Sequence, residues 1–286
     1  MHCAMIQAGD LQAIVGDAAR DGVGGRQYCG LWSLTSRHRV FNAFGNSYAG
    51  LIPSDLRGRV VSVAQPDETA VTLEHAATDA HPCEARATYR LVPPHYIDHE
   101  LRIRDVRDAR PAGCSFREVA WCSYLNCPED PRLHFRSGGQ WTAYQSPRHG
   151  EGSNVAPGYV PEAELEVFPP REQRPGYLHP FHWDRAAVRF DRPFYYGRLG
   201  GMILMHLFDR PRELRFFCSP SGGGGGMRAG EICPAWDFEW ILPDGAYEVG
   251  REFVFRMRLV YKRFEGEDEV SAEYDRAVMD LGFASP

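Results

Sequence analysis

The chain has 286 residues, of which 43% are hydrophobic, 24% charged and 12% aromatic. This composition is typical of a folded globular protein and excludes a disordered or fibrous chain. The net charge of −6 gives no general attraction for polyanions, so we expect no nucleic-acid partner and no membrane partner.

The sequence also bears on compartment and redox state. No run reaches the roughly 18 apolar residues that a membrane helix needs. Asp10, Asp17 and Arg20 interrupt the start of the chain, so we expect no signal peptide and a cytoplasmic protein. The eight cysteines contain no CxxC pair, which favours reduced thiols and predicts no metal site. The oligomeric state is open, and a homodimer is compatible with the sequence.

Short apolar runs separated by Gly and Pro predict many strands. The clearest strands lie at residues 97–104, where Ile97, His99, Leu101 and Ile103 share one face, and at residues 253–261, which alternate in the same way. On such apolar faces His99 and His206 are predicted to be hydrogen-bonded core histidines. Further strands are predicted near residues 59–64, 71–75, 85–92, 116–125, 132–136, 140–145, 164–168, 187–190, 194–199, 202–208, 213–218 and 236–242.

Only one segment has helical spacing. In residues 267–281 apolar side chains recur every three to four positions, acids fill the first turn and Gly282 follows the last. More than a dozen strands without alternating helices favour an all-β fold. We therefore expect a large antiparallel β-sandwich or barrel with one short C-terminal helix. Residues 150–175 are a candidate linker, but similar strands flank them, so we expect a single domain over 1–286.

A run of five glycines, residues 222–226, precedes the strand near residues 236–242. It is either a surface loop without a role in function or a mobile flap whose backbone approaches a ligand. It lacks the GxxxxGK[ST] and GxGxxG contexts of phosphate-binding loops.

Two carboxylates follow on that strand. Asp237 and Glu239 are predicted on one face, and Trp236, Phe238 and Trp240 on the other. This pattern is either a solvated sheet edge or a general base beside aromatic rings that stack on a sugar. Either Asp237 or Glu239 is the candidate base.

The run Phe238-Glu-Trp-Ile-Leu-Pro-Asp244, followed by Gly250 and a strand at residues 252–262, resembles the C-terminal signature of aldose 1-epimerases and the galactose mutarotase-like superfamily. In that signature a glutamate on a late strand precedes a Pro-Asp turn, a glycine and a terminal strand. The resemblance implies a β-supersandwich, a carbohydrate ligand and no cofactor. It also implies that Glu239 takes the proton of the anomeric hydroxyl while a histidine acts as acid on the ring oxygen.

The predicted acid is His149, because it stands in a polar loop at residues 146–154, where functional side chains are commonly displayed; a turn histidine without a role in function is the alternative. Other residues of the types found in sugar clefts are candidates for substrate contact, although Tyr and Trp also favour ordinary strands. They are Arg148, Tyr195, Tyr196, Arg198, Trp121, Tyr124, Glu118, Asn126, His95 and Trp236.

These features predict a carbohydrate-active enzyme with mutarotase-like acid–base chemistry. Three alternatives stay open: a glycoside hydrolase with two carboxylates across a cleft, a polysaccharide lyase, and a non-catalytic sugar-binding sandwich. A lyase needs a Tyr or His base and a cation that neutralises a uronate carboxylate, for which Arg148 and Arg198 are candidates.

Overall fold

A computed structural model of the chain describes residues 2–17, 28–45, 50–110, 114–126, 128–148, 151–167, 184–220 and 233–283. Within these ranges there are 17 strands, one α-helix and two short 3-10 turns, Ser54–Leu56 and Glu162–Glu164. The strands are β1 (Cys3–Ala8), β2 (Leu11–Asp17), β3 (Cys29–Ser36), β4 (Ile52–Pro53), β5 (Ser62–Asp67), β6 (Ala70–His75), β7 (Cys83–Val92), β8 (Tyr96–Asp105), β9 (Phe116–Cys122), β10 (Asp130–Ser137), β11 (Gln140–Tyr144), β12 (Asn154–Val155), β13 (Phe194–Leu199), β14 (Met202–Phe208), β15 (Leu214–Ser219), β16 (Ala235–Pro243) and β17 (Glu252–Arg263), and the helix is α1 (Glu267–Leu281).

The strands form three sheets. The largest has nine strands in the order β11-β10-β13-β14-β17-β8-β7-β6-β5, the second has five in the order β12-β15-β16-β9-β4, and β1, β2 and β3 form the third. Every pairing between these strands is antiparallel. The expected all-β antiparallel sandwich with one C-terminal helix is confirmed.

The nine-stranded and five-stranded sheets pack face to face through aromatic side chains. The ring of Trp121 on β9 lies 6.2 Å from that of Phe255 on β17, and Phe208 on β14 lies 4.7 Å from Phe238 on β16. Rings of this size bury much apolar surface and favour edge-on or offset contacts. The core of the sandwich is therefore a layer of interlocked aromatic rings.

Hydrogen bonds cross this apolar layer. Trp121 Nε1 donates to His99 Nε2 at 3.0 Å, and His99 Nδ1 lies 3.0 Å from the carbonyl oxygen of Thr88. Together these contacts require a neutral ring with its proton on Nδ1, and burial lowers the pKa of His99 to about 4. The prediction of a hydrogen-bonded core histidine is confirmed for His99.

His206 differs from that prediction in one respect. It is buried as expected, between the rings of Tyr195, Phe208 and Phe238. However, neither ring nitrogen has a hydrogen-bond partner among the residues that the structure describes. Burial lowers the pKa of His206 to about 3, so the imidazole is neutral at physiological pH.

The other face of the nine-stranded sheet carries α1. Val270, Tyr274 and Ala277 of the helix pack on outward side chains of β13, β14 and β17. Polar contacts add to this packing, because the buried Glu273 carboxylate forms an ion pair with Lys262 at 3.1 Å and accepts a hydrogen bond from the Tyr96 hydroxyl at 2.9 Å. The predicted helix bounds are confirmed.

Two predicted strands are wrong. Residues 164–168 were expected to be extended, but a 3-10 turn ends at Glu164 and residues 165–167 belong to no strand. Residues 187–190 contribute only an isolated bridge at Phe190. In the second stretch Phe190 donates its backbone N–H to the carbonyl oxygen of Ala156 and accepts from the N–H of Gly158, so contacts to the segment after β12 replace a regular ladder.

The three-stranded sheet completes the layer formed by the five-stranded sheet. Leu31 on β3 donates its backbone N–H to Leu51 beside β4 at 3.1 Å, and Ile6, Leu11 and Val15 join the same core cluster as the two large sheets. One continuous core is what a single domain requires. The single-domain expectation for 1–286 stays a prediction that this core supports.

A substitution at Gly197 on β13 tests the packing between the two large sheets. Its inner side faces the indole ring of Trp236, which fills the place that a Cβ atom would take. We expect Gly197→Ala to lower the free energy of unfolding by about 1–3 kcal/mol, because overpacking forces side chains and backbone apart. Urea denaturation measures this change.

The matched control is Gly245→Ala, since nothing lies within 4 Å of a Cβ atom at that position. An equal urea midpoint for Gly197→Ala and the control would contradict the described packing of Trp236.

Candidate functional site

Asp237 and Glu239 lie on the face of β16 that is turned away from the aromatic core. Trp236, Phe238 and Trp240 point inward and belong to the core cluster, as the alternation predicts. The solvated-edge alternative is wrong, because the exposed fraction is 3% for Asp237 and 0% for Glu239. Two carboxylates are thus buried on the outer face of the five-stranded sheet.

Neighbouring strands supply the surroundings of these carboxylates. Across β15, Arg215 is opposite Glu239, and across β9, Ala120 is opposite Glu239. The backbone N–H of Ser123 donates to Asp237 Oδ1 at 2.6 Å. This amide donor satisfies one oxygen of the buried Asp237 carboxyl group.

Arg57, Tyr28 and Tyr124 form a cluster at the Asp237 end of this face. The Arg57 guanidinium lies over the Tyr28 ring, 4.9 Å from its centroid, and the rings of Tyr28 and Tyr124 meet edge to face at 6.1 Å. Tyr124 also pairs with Ala235 through an isolated bridge at the start of β16. The side chains of Arg57 and Tyr124 are only partly buried, so the outer face meets solvent here.

Electrostatics in this cluster keep Arg57 charged. Burial alone lowers the pKa of Arg57, but the electrostatic surroundings of the guanidinium, which include the Asp237 carboxyl group, outweigh burial and raise it. Burial also raises the pKa of Tyr124 far above its ordinary value. The cluster therefore presents a cation and the neutral phenol of Tyr124, both of which can donate hydrogen bonds to oxygen ligands.

Arg57 and Tyr28 were not among the predicted site residues. Arg57 stands in the loop after the first 3-10 turn, where no periodicity indicates a direction for its side chain. The only signal is an arginine next to Gly58 in a polar loop, which is common on protein surfaces.

A small cavity of about 210 Å³ lies at the other end of the same face. Arg215, Glu166 and Ile241 line it, together with the exposed pair Arg212–Glu164. Because Ile241 and Glu239 alternate along β16, this cavity and the two carboxylates share one side of the sheet.

Three predicted sugar contacts lie in the core instead. The side chains of Trp121, Tyr195 and Trp236 are fully buried between the two large sheets. Their polar atoms are used there, since the Tyr195 hydroxyl donates to the Trp236 carbonyl at 3.0 Å and Trp236 Nε1 donates to Pro131 at 2.9 Å. We correct the prediction for these residues, because they have no surface left with which to contact a ligand.

Three others lie on the α1 side of the nine-stranded sheet, at the opposite side of the sandwich from Glu239. Tyr196 stacks on His134 at 4.9 Å, Arg198 pairs with Glu129 at 2.8 Å, and His95 lies 3.3 Å from Glu273. They therefore do not converge with Asp237 and Glu239, and the prediction that they share one site is wrong.

Some of the remaining candidates lie on the outer face with the two carboxylates, and others do not. Arg148 is exposed and lies 3.7 Å from Glu151. Glu118 and Tyr124 lie on the outer face with Asp237 and Glu239, and Asn126 follows at its edge, where Nδ2 donates to the Asn42 carbonyl at 3.0 Å. His149 and the glycine run 222–226 lie outside the described residues.

Metal-binding and membrane-spanning features were searched within the same ranges. In the described parts of the chain, no group of three or more His, Cys, Asp or Glu side chains is arranged to hold a metal ion. No helix there has the length and apolar character needed to cross a membrane.

Comparison with known proteins gives a likeness of fold. No protein-family profile and no curated protein sequence matches the chain. Similar solved structures include a candidate aldose 1-epimerase from Escherichia coli K12, at 11% identity and a TM-score of 0.48, with 92% of this chain and 99% of that chain covered. An aldose epimerase homologue from C. elegans is similar at 10% identity and a TM-score of 0.44, over 92% of this chain and 100% of that chain.

A heparan sulfate lyase mutant from Pedobacter heparinus is also similar, at 9% identity and a TM-score of 0.39, over 89% of this chain and 30% of that chain. The aldose 1-epimerases that residues 238–244 resemble are thus among the solved structures similar to this chain. Similarities of this size concern the arrangement of strands, so the chemistry has to be judged from the residues of this chain.

The reactivity of Cys122, which lies beside Asp237 on the outer face, shows whether this face is closed to solvent. Burial, followed by the electrostatic influence of Asp237, raises the pKa of Cys122 to about 12, so at pH 8 a much smaller fraction of this thiol is ionised than of a free thiol, whose pKa is about 8.5. We expect iodoacetamide at pH 8 to label exposed Cys3 at least 100-fold faster than Cys122, as measured by peptide mass spectrometry.

Labelling in urea is the control, because unfolding should make the two cysteines similarly reactive. Similar rates in the native protein would show that the face carrying Asp237 and Glu239 is open to solvent, contrary to the structure.

Proposed function

We propose that this protein is a carbohydrate-active enzyme that interconverts the anomers of an aldose, with Glu239 as general base. One observation carries the proposal: Asp237 and Glu239 lie side by side, buried, on the face of β16 that the core does not use. Buried carboxylates are costly to a fold unless they are paired or hydrogen-bonded, and such groups are enriched at sites of binding and catalysis. The resemblance of residues 238–244 to the aldose 1-epimerase signature supports Glu239 as the base.

The chemistry of the neighbours fits a sugar. Asp237 accepts hydrogen bonds, and Arg57, Tyr28 and Tyr124 offer donors and ring faces at the rim of the patch. Sugars present hydroxyl groups together with apolar C–H faces, which this mixture of side chains can bind. The sugar would approach from the partly buried side of Arg57 and Tyr124, where the face meets solvent.

The reaction needs two proton transfers and the reversible breaking of the C1–O5 bond. Glu239 takes the proton of the O1 hydroxyl while the C1–O5 bond breaks and O5 gains a proton from an acid, giving the open-chain aldehyde. Rotation about C1–C2 followed by the reverse transfers closes the other anomer, and no cofactor takes part. His149 is kept as the proposed acid.

Two of the alternative reactions have less support. A lyase needs a basic phenolate or imidazole, but the pKa of Tyr124 lies far above its ordinary value, and Arg148 and Arg198 are bound elsewhere. A hydrolase needs two carboxyl groups that flank the scissile bond, whereas Asp237 and Glu239 are two positions apart on one face of the same strand.

A non-catalytic sugar-binding sandwich is the second candidate. The full burial of Glu239 favours it, since a base must touch the proton that it removes. The cytoplasmic location and the oligomeric state stay predictions.

The decisive variant is Glu239→Gln, which keeps shape and removes the base. We expect it to slow anomer exchange at least 100-fold, the lower end of what general-base catalysis contributes. NMR saturation transfer between anomers on a panel of aldoses measures the rate, and thermal shift confirms that the variant folds and binds.

Glu84→Gln is the matched control, because Glu84 pairs with Arg104 at 2.7 Å on the outer face of the nine-stranded sheet. Sugar-dependent stabilisation without exchange in the wild type would favour the binding sandwich. Equal exchange in the wild type and Glu239→Gln would remove Glu239 from the reaction.

A further inference from the structure

Glu239 has a charged neighbour directly across the sheet. Arg215 is its register partner in the β15–β16 ladder, and opposite residues on an antiparallel pair share a face with Cβ atoms about 4.5–5.5 Å apart. Both are buried, with exposed fractions of 3% for Arg215 and 0% for Glu239. A positive charge therefore lies beside the proposed base where little water can screen it.

Four hydrogen bonds hold the Arg215 guanidinium in place. Nε donates to Glu166 Oε1 at 3.0 Å, and Nη2 donates to Oε2 of the same carboxylate. Nη1 donates to the carbonyl oxygens of Arg212 at 3.1 Å and Leu214 at 2.7 Å. Because all three nitrogens are bound, the cation has a fixed position relative to β16.

The stability of the fold does not require this pair to be ionic. Taking both partners out of water costs free energy, and apolar residues of similar volume often serve stability as well or better. The adjacent Arg212–Glu164 pair is exposed at 59% and 54%, so it escapes that cost. The costly, buried pair is the one next to Glu239.

We propose that Arg215 is a positioning residue for Glu239, which holds the Glu239 carboxylate in its proton-accepting form, and that Glu166 limits this effect. The catalytic part of this inference rests on the proposed function, whereas the coupling of charges is a property of the free protein. Other titratable or charged groups also face Glu239 from the surrounding elements: Asp237 on β16, Glu118 and Cys122 on β9, and Arg57 beyond Asp237.

The two single variants act in opposite directions. Arg215→Met removes the cation and leaves two buried carboxylates, so the titration midpoint of Glu239 should rise by about one pH unit or more. Glu166→Gln leaves the cation uncompensated, so the midpoint should fall. Carbon-13 NMR of the full chain with labelled glutamate measures the midpoint, and the Glu239 signal is the one lost in Glu239→Gln.

Two further variants keep the test interpretable. Arg215→Met with Glu166→Met replaces the pair by apolar side chains, which should preserve folding even where a single variant unfolds, and its midpoint should lie between those of the single variants. Arg212→Met removes a cation from the exposed neighbouring pair and should leave the midpoint unchanged.

The outcomes separate this inference from the proposed function. Unchanged midpoints in Arg215→Met and Glu166→Gln, or in the double variant if those do not fold, would overturn the coupling. Shifted midpoints together with full exchange activity in Glu239→Gln would confirm the coupling and overturn the proposed function. Where Glu239→Gln is inactive, the acid limb of kcat/KM should move with the NMR midpoint in each variant, and an acid limb that stays fixed would overturn the positioning role.

Discussion

The contact between the two large sheets determines where every candidate functional side chain points. Trp121 donates across the interface to His99 at 3.0 Å, and the Tyr195 hydroxyl donates in the other direction to the backbone of β16 at 3.0 Å. These bonds satisfy the polar atoms of large rings inside an apolar layer. The hydrogen bonds determine which faces of β9 and β16 point into the core. Because side chains alternate along a strand, a strand whose aromatic residues face inward turns the residues between them outward. Asp237 and Glu239 are outward for this reason.

This arrangement buries charged side chains, which costs free energy, and nearby hydrogen bonds and ion pairs offset that cost. Asp237 accepts from a backbone N–H, and Arg215 is tied to Glu166. The same solution recurs at the far end of β9, where Arg117 donates to Asp105 at 2.9 Å and to Asp55, and Tyr247 donates to Asp105 at 3.0 Å. Buried ions are tolerated when they are paired and hydrogen-bonded. The Arg215–Glu166 pair differs from the cluster at Arg117 in its position, since the proposed base Glu239 is the register partner of Arg215.

Periodicity in the sequence predicts the strands that have one apolar and one polar face. β8 and β17 alternate cleanly, and α1 has a clear helical repeat, so their positions follow from the residues alone. β1 was missed because exposed Cys3 and Met5 alternate with buried Ala4 and Ile6, and apolar residues on both faces hide the period. Residues 164–168 look extended in composition, but in the part of the chain that the structure describes no strand forms a ladder with residues 164–167.

The candidate site was predictable only in part. Alternation indicates that Asp237 and Glu239 share a face, but it does not indicate whether that face is covered or exposed. Aromatic residues were assigned to a sugar site on chemical grounds, although Trp121 and Trp236 are the residues that fill the core. Arg57 reaches Tyr28 and the neighbourhood of Asp237 from a loop distant in sequence, a tertiary contact that no local pattern encodes.

The central claim is that the outer face of the five-stranded sheet, at Asp237 and Glu239, is where a sugar binds. A crystal structure with the aldose that gives the largest thermal shift tests this claim most directly. We expect sugar hydroxyl groups within hydrogen-bonding distance of the Glu239 carboxylate, with Arg57 or Tyr124 in contact. A sugar bound instead on the charged outer face of the nine-stranded sheet, with the surroundings of Glu239 unchanged, would contradict the account.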